Sequence, residues 1–112
     1  SRISCKVMGA NDIGYLSWNG GDARYAILHD LPRYSAVAVG DSIVTSGSSS
    51  FFPENIMVGK VEELSPSADG LYMTIKVALS TQFSQLNYAF VMRKMDADEL
   101  ETLEESLKPK KK

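Results

Sequence analysis

The chain has one cysteine, one histidine and one tryptophan in 112 residues, and each scarcity removes a class of chemistry. With Cys5 alone, no internal disulfide can form, and the fold must stand on its core. Cys5 and His29, far apart in sequence, are too few to hold a structural zinc. The Asp and Glu residues near the end lack the glycine-kinked loop of a calcium site. Apolar runs stay far below the roughly 20 residues of a membrane span, and there is no signal-peptide pattern. Charge of neither sign dominates. The formal net charge is −2, so nothing draws the chain generally to nucleic acid or anionic lipid. None of these residues implies a cofactor.

What is present is the composition of an ordinary globular domain, 44% hydrophobic and 23% charged, at a length that supports one domain and one core. The charge is unevenly placed. Residues 1–95 carry eight basic and eight acidic side chains, residues 96–107 carry six acids and no base, and residues 108–112 carry four lysines. The expected division is a domain over 1–94 and an acidic helix with a lysine-rich end over 95–112. Ser1 opens without a methionine and already in strand-like sequence, which reads as a fragment of a longer protein.

Alternation and turn chemistry predict a small all-β barrel or sandwich of about seven strands. Arg2–Met8, Ile13–Trp18 and Arg24–Leu28 read as strands, with Asn19-Gly20 as a hairpin turn between the second and third. Pro32 cannot donate to a ladder, so residues 29–38 are expected to be irregular or at an edge. Ile43–Thr45 and Ile56–Leu64 come next as strands, then a loop over Ser65–Gly70. Leu71–Leu79 alternates cleanly, with Met73, Ile75 and Val77 on the buried face. Tyr88–Met92 is expected to be the last strand. In the tail, Asp96 and Glu99 resemble a capping box, and Leu100, Leu103 and Leu107 give one apolar stripe.

The chemistry-bearing candidates are few. Gly40-Asp41-Ser42 echoes the nucleophile loop of chymotrypsin-like proteases, with His29 as the one available base. However, Ser42 runs straight into Ile43-Val44-Thr45, and a turn capped by Asp41 is the favoured reading. Ser46-Gly47-Ser48-Ser49-Ser50 could hold an anion on successive N–H groups, but a surface turn is favoured. Phe51 and Phe52 are consecutive and point to opposite sides, so one enters the core and the other is a candidate partner contact. Trp18, Tyr15, Tyr25 and Tyr34 could line a groove, but core packing is the favoured reading for each.

Across residues 40–61 the chain resembles the second β-domain of the MreC family of bacterial rod-shape-determining proteins. The residues that carry the likeness are Gly40, Asp41, Ile43, Val44, Thr45, Ser46, Gly47, Phe52, Pro53, Ile56, Val58, Gly59 and Val61. Asn55 stands where that family usually has glycine, and asparagine is the residue next most tolerant of positive φ. Trp18-Asn19-Gly20 with Asp22, Arg24 and Tyr25, and later Tyr72, Thr74, Ile75, Phe83 and Leu86, resemble the Bacteroidetes-type version over about residues 1–93.

The resemblance implies a noncatalytic half of a chymotrypsin-like barrel. It also implies a scaffold at the periplasmic face of the inner membrane, anchored through an N-terminal helix outside this chain. The partners it implies are the MreB/MreD system, a SEDS glycosyltransferase and a penicillin-binding transpeptidase, with possible self-association. The expected contact regions are the Gly47–Phe52 corner (Ser48, Ser49, Phe51, Phe52), the Pro32–Val39 edge and the Ser65–Gly70 loop. Two readings rival it. One is a degenerate serine hydrolase using His29 with Ser42 or Ser46. The other is a carrier or adaptor barrel, which needs a lysine at a hairpin tip where Lys60 lies inside an expected strand.

Overall fold

The computed structural model describes residues 3–18, 22–48, 52–89 and 92–93. Its six strands are β1 (Ile3–Val7), β2 (Ile13–Ser17), β3 (Tyr25–Pro32), β4 (Ser42–Thr45), β5 (Met57–Pro66) and β6 (Tyr72–Leu79). They close into an antiparallel barrel in the order β1-β2-β3-β6-β5-β4, with β4 returning to pair with β1. The expected all-β class is found, with six strands in place of about seven. The Asn19-Gly20 turn lies outside the described residues, but β2 and β3 pair antiparallel around it.

The period-two pattern sorts side chains between inside and outside. Leu16, Leu28, Leu31, Ile43, Val58, Ile75 and Val77 are fully buried inside the ring. The ring closes through only part of each strand. β5 pairs with β4 over Met57–Lys60 and β3 pairs with β2 over Ile27–His29, so residues 62–66 and 30–32 have a strand partner on one side only and leave short open edges.

Two boundaries also differ from expectation. β3 does not stop at Leu28. Its pairing with β6 shifts between Leu28↔Ile75 and Leu31↔Met73, and Asp30 takes φ 70 in that bulge. The bulge absorbs one residue, so Pro32 can end the strand opposite Tyr72, and the irregular stretch begins only at Arg33. Ser65 and Pro66 belong to β5 and pair with Thr74 and Met73, which leaves a shorter loop.

The last expected strand is a helix. Residues 81–89 form α1, and Met92 and Arg93 are helical as well. Ser80 starts it as an N-cap, since its hydroxyl accepts from Phe83 N–H at 3.1 Å and its carbonyl accepts from Ser84 N–H at 3.0 Å. The cap directs Phe83 into the barrel, where it is fully buried, 5.8 Å from the Phe52 ring and stacked on Trp18 at 6.5 Å. That burial decides the conformation over the β propensity of Tyr88-Ala89-Phe90-Val91. The tail helix expected over 96–107 lies outside the described residues.

Candidate interaction surface

The residues of the 40–61 motif come together, and their work is on the backbone. Gly40 N–H donates to Val61 O, and Val61 N–H donates to Asp41 O, both at 2.9 Å, which ties the turn to β5. The Asp41 carboxylate accepts from Ala38 N–H at 2.9 Å, so its role is to cap the turn. Thr45 closes the neck of the next loop. Its buried hydroxyl donates to Pro53 O at 2.6 Å and accepts from Ile56 N–H at 2.8 Å, while its carbonyl accepts from Asn55 N–H. Asn55 adopts φ 68, so the turn survives the glycine-to-asparagine difference as expected.

Two glycines of the motif are needed for space. A Cβ on Gly59 would sit 2.2 Å from Ala78 O on the neighbouring β6 strand. Gly47, at φ +82, has Glu54 Cβ at 3.0 Å from where its own Cβ would lie. Ser46 N–H donates to Ser4 O, and its hydroxyl accepts from Ser48 N–H at 3.2 Å. Lys6 donates to Glu54 at 2.6 Å and ties the loop to β1.

At the Gly47–Phe52 corner, Phe52 is the member of the aromatic pair that enters the core, 6% exposed against Phe83. Its place among the partner contacts is therefore corrected. Ser48 is exposed, and Ser49 and Phe51 lie outside the described residues.

His29 and Ser42 are not brought together. They sit on β3 and β4, which lie on opposite sides of the ring with two strands between them in either direction. The partner of His29 is Ser17 on β2, its Nε2 being 2.7 Å from the hydroxyl oxygen. Lys60 is in the middle of β5, opposite Ser42 and Ala78, and at no hairpin tip. Cys5 is fully buried on β1, where desolvation pushes its thiol up to about 12, so it does not offer a thiolate.

A second region combines the expected Ser65–Gly70 loop and Tyr15 with residues that the sequence did not single out, His29 as a surface group, Asp30 and Thr74. The outer face of β2, β3 and β6 presents Tyr15, Ser17, His29, Asp30, Tyr72 and Thr74. Two adjoining shallow furrows of about 250 and 350 Å³ share His29 and Asp30. The second is bounded by Ser67, Ala68 and Asp69 from the β5–β6 loop. That loop is ordered by its own bonds. Ser67 donates through its hydroxyl to Asp69 and accepts from Tyr72 N–H, and Asp69 also accepts from Leu71 N–H. These bonds, first that from Ser67, hold the Asp69 carboxyl below its ordinary range.

Of the aromatic side chains expected inside, only Trp18 packs on the core. Tyr15 and Tyr34 are 38% and 82% exposed, and Tyr25 lies outward between Arg24 and Lys76. At the far rim, Arg24 and Asp22 pair at 2.6 Å, and the guanidinium hydrogen bonds hold the Asp22 carboxyl down at about 2.

A filled barrel, plugged at one end by a capped helix and chemically varied only on its loops and outer face, defines a class. It is a small β-barrel module. Within that class the chain belongs to the MreC family. The family model described as rod shape-determining protein MreC, barrel core, matches residues 1–93.

The cell shape-determining protein MreC of Listeria monocytogenes is 28% identical over 95 residues, covering 84% of this chain and 32% of that protein. A solved MreC from Listeria monocytogenes, also 28% identical, superposes with a TM-score of 0.65 over 74% of this chain and 40% of that one. MreC from Pseudomonas aeruginosa, 17% identical, gives 0.65 over 74% and 53%. MreC from Helicobacter pylori, solved in a complex with penicillin-binding protein PBP2, is 16% identical and gives 0.61 over 74% and 53%. At these lower identities the likeness is one of fold. The chain spans about a third of the curated relative it matches.

Proposed function

We propose that this barrel is a noncatalytic scaffold domain that helps organise peptidoglycan elongation at the periplasmic face of the inner membrane. Membership of the MreC family carries the reading. A penicillin-binding transpeptidase is the partner class best supported, because the Helicobacter pylori relative was solved bound to one. The MreB/MreD system and the SEDS glycosyltransferase are further proposed partners, as is a parent protein anchored through an N-terminal helix. The proposed division into a barrel domain over 1–94 and a tail over 95–112 is supported by the extent of the family match.

The mechanism is presentation of loops, outward side chains and the short one-sided strand segments 30–32 and 62–66 to a partner. The proposed contacts are the Gly47–Ser49 corner with Phe51, whose base Thr45 and Phe52 hold in place, and the outward turns over residues 33–41 and 67–71. The test is sedimentation of the chain with the periplasmic part of the cognate transpeptidase. A complex lost when Ser48 and Phe51 are changed to charged residues is expected. A chain that stays free of the transpeptidase at every concentration overturns the reading for this domain.

A further inference from the structure

The furrow on β2, β3 and β6 has no part in the motif and no role in the barrel's packing. Its two tyrosines, Tyr15 and Tyr72, are 38% and 42% exposed. They stand on strands either side of β3, two strand spacings or about 10 Å apart across the sheet, and because Tyr15 lies opposite His29 and Tyr72 opposite Pro32 they are also offset by roughly 7 to 10 Å along it. Between them the bulge at Asp30 turns both His29 and Asp30 outward. The lining adds the hydroxyls of Ser17, Ser67 and Thr74 and the carboxylate of Asp69. Among the described residues, no lysine or arginine lines either furrow.

Each feature narrows the ligand. Two carboxylates without a cation disfavour nucleic acid, phosphate and other anions. Half-exposed rings ask for flat apolar faces, whereas hydroxyl, imidazole and carboxylate groups ask for hydroxyl partners. A pyranose chain supplies both, and a segment of about three sugar units reaches from one ring to the other. A basic peptide fits less well. Asp69 is already engaged by Ser67 and Leu71 N–H. The self-bonded loop makes its side of the furrow preformed, so little ordering is required on binding.

We infer that this furrow binds a neutral oligosaccharide, with Tyr15 and Tyr72 stacking on the two end units of a short segment and His29, Asp30 and Thr74 hydrogen-bonding to hydroxyls between them. The furrow shares the 67–69 loop with the proposed transpeptidase contacts but not the Ser48 and Phe51 corner on which that contact is tested, so either can fail alone.

The test is an amide NMR titration of the chain with chitohexaose. Saturable shifts confined to residues 15–17, 27–31 and 67–74 are expected. Tyr15→Ala and Tyr72→Ala should each weaken binding about fivefold, as expected for one aromatic contact. Tyr15→Phe and Tyr72→Phe, which keep the ring, and Tyr34→Ala, outside the furrow, should retain it. Absence of saturable shifts overturns the inference, as do shifts elsewhere on the barrel. The same pattern produced more tightly by pentalysine would assign the furrow to a cationic peptide and overturn it equally.

Discussion

The 40–61 stretch and the outer face of β2, β3 and β6 are built in opposite ways. In the first, contiguous residues solve backbone problems: Asp41 caps, Thr45 closes a loop neck, and Gly59 lets β6 pass. In the second, residues from three distant segments meet on one face and leave their polar groups toward solvent. The first is recognisable because its constraints are local in sequence. The second is invisible until the strands are ordered. A motif that identifies a family can thus be a folding device, while chemistry available to a ligand collects where no motif exists.

The contrast between these regions is challenged most directly through Phe83. Truncation to Ala removes the ring between Phe52 and Trp18 and should cost about 4 kcal/mol in urea unfolding. A loss below about 1 kcal/mol would mean that the corner stands without its plug. Thr45→Val is the next largest. It strips partners from Pro53 O and Ile56 N–H while keeping shape, and a loss of roughly 2 kcal/mol is expected. Tyr72→Ala on the furrow is the reference, expected to stay within about 0.5 kcal/mol. Equal losses for the two would erase the distinction between folding region and surface region.

A last effect concerns pH and is absent at neutrality. Burial raises the Cys5 thiol from 9.0 to about 12 in the folded chain, so folding favours the protonated form. That stability is complete below pH 9 and fades as pH rises toward 12. By about pH 10.5 the native chain should lose about 2 kcal/mol relative to Cys5→Ala, judged by unfolding midpoints at each pH. Parallel pH curves would show that the β1 wall admits the thiolate.

Much of the barrel is legible in the sequence. Alternation marks β1, β2, β4, β5 and β6 to within about two residues, and Asn55 reads correctly as tolerating a left-handed turn. β3 reads too short because Pro32 is a strand breaker in general but harmless as a last residue beyond a bulge. The helix escapes for a different reason. Tyr88-Ala89-Phe90-Val91 has strand propensity, and the decisive signal is Ser80 three residues before an aromatic, with Leu86 after it at helical spacing. Tyr15 and Tyr25 are expected inside because aromatic rings usually are. Their strands place them on the outward phase of the alternation, which the flanking Gly14, Leu16 and Ala26 could have indicated.

Phe83 also acts as a key in a shaft. Its ring lies parallel to Trp18, with 1° between the planes, and is tilted 43° against Phe52. Helix α1 therefore has one rotational setting about its own axis as well as one position. The angular phase of residues 81–89 against the barrel is thus set by contacts on both sides of one aromatic ring.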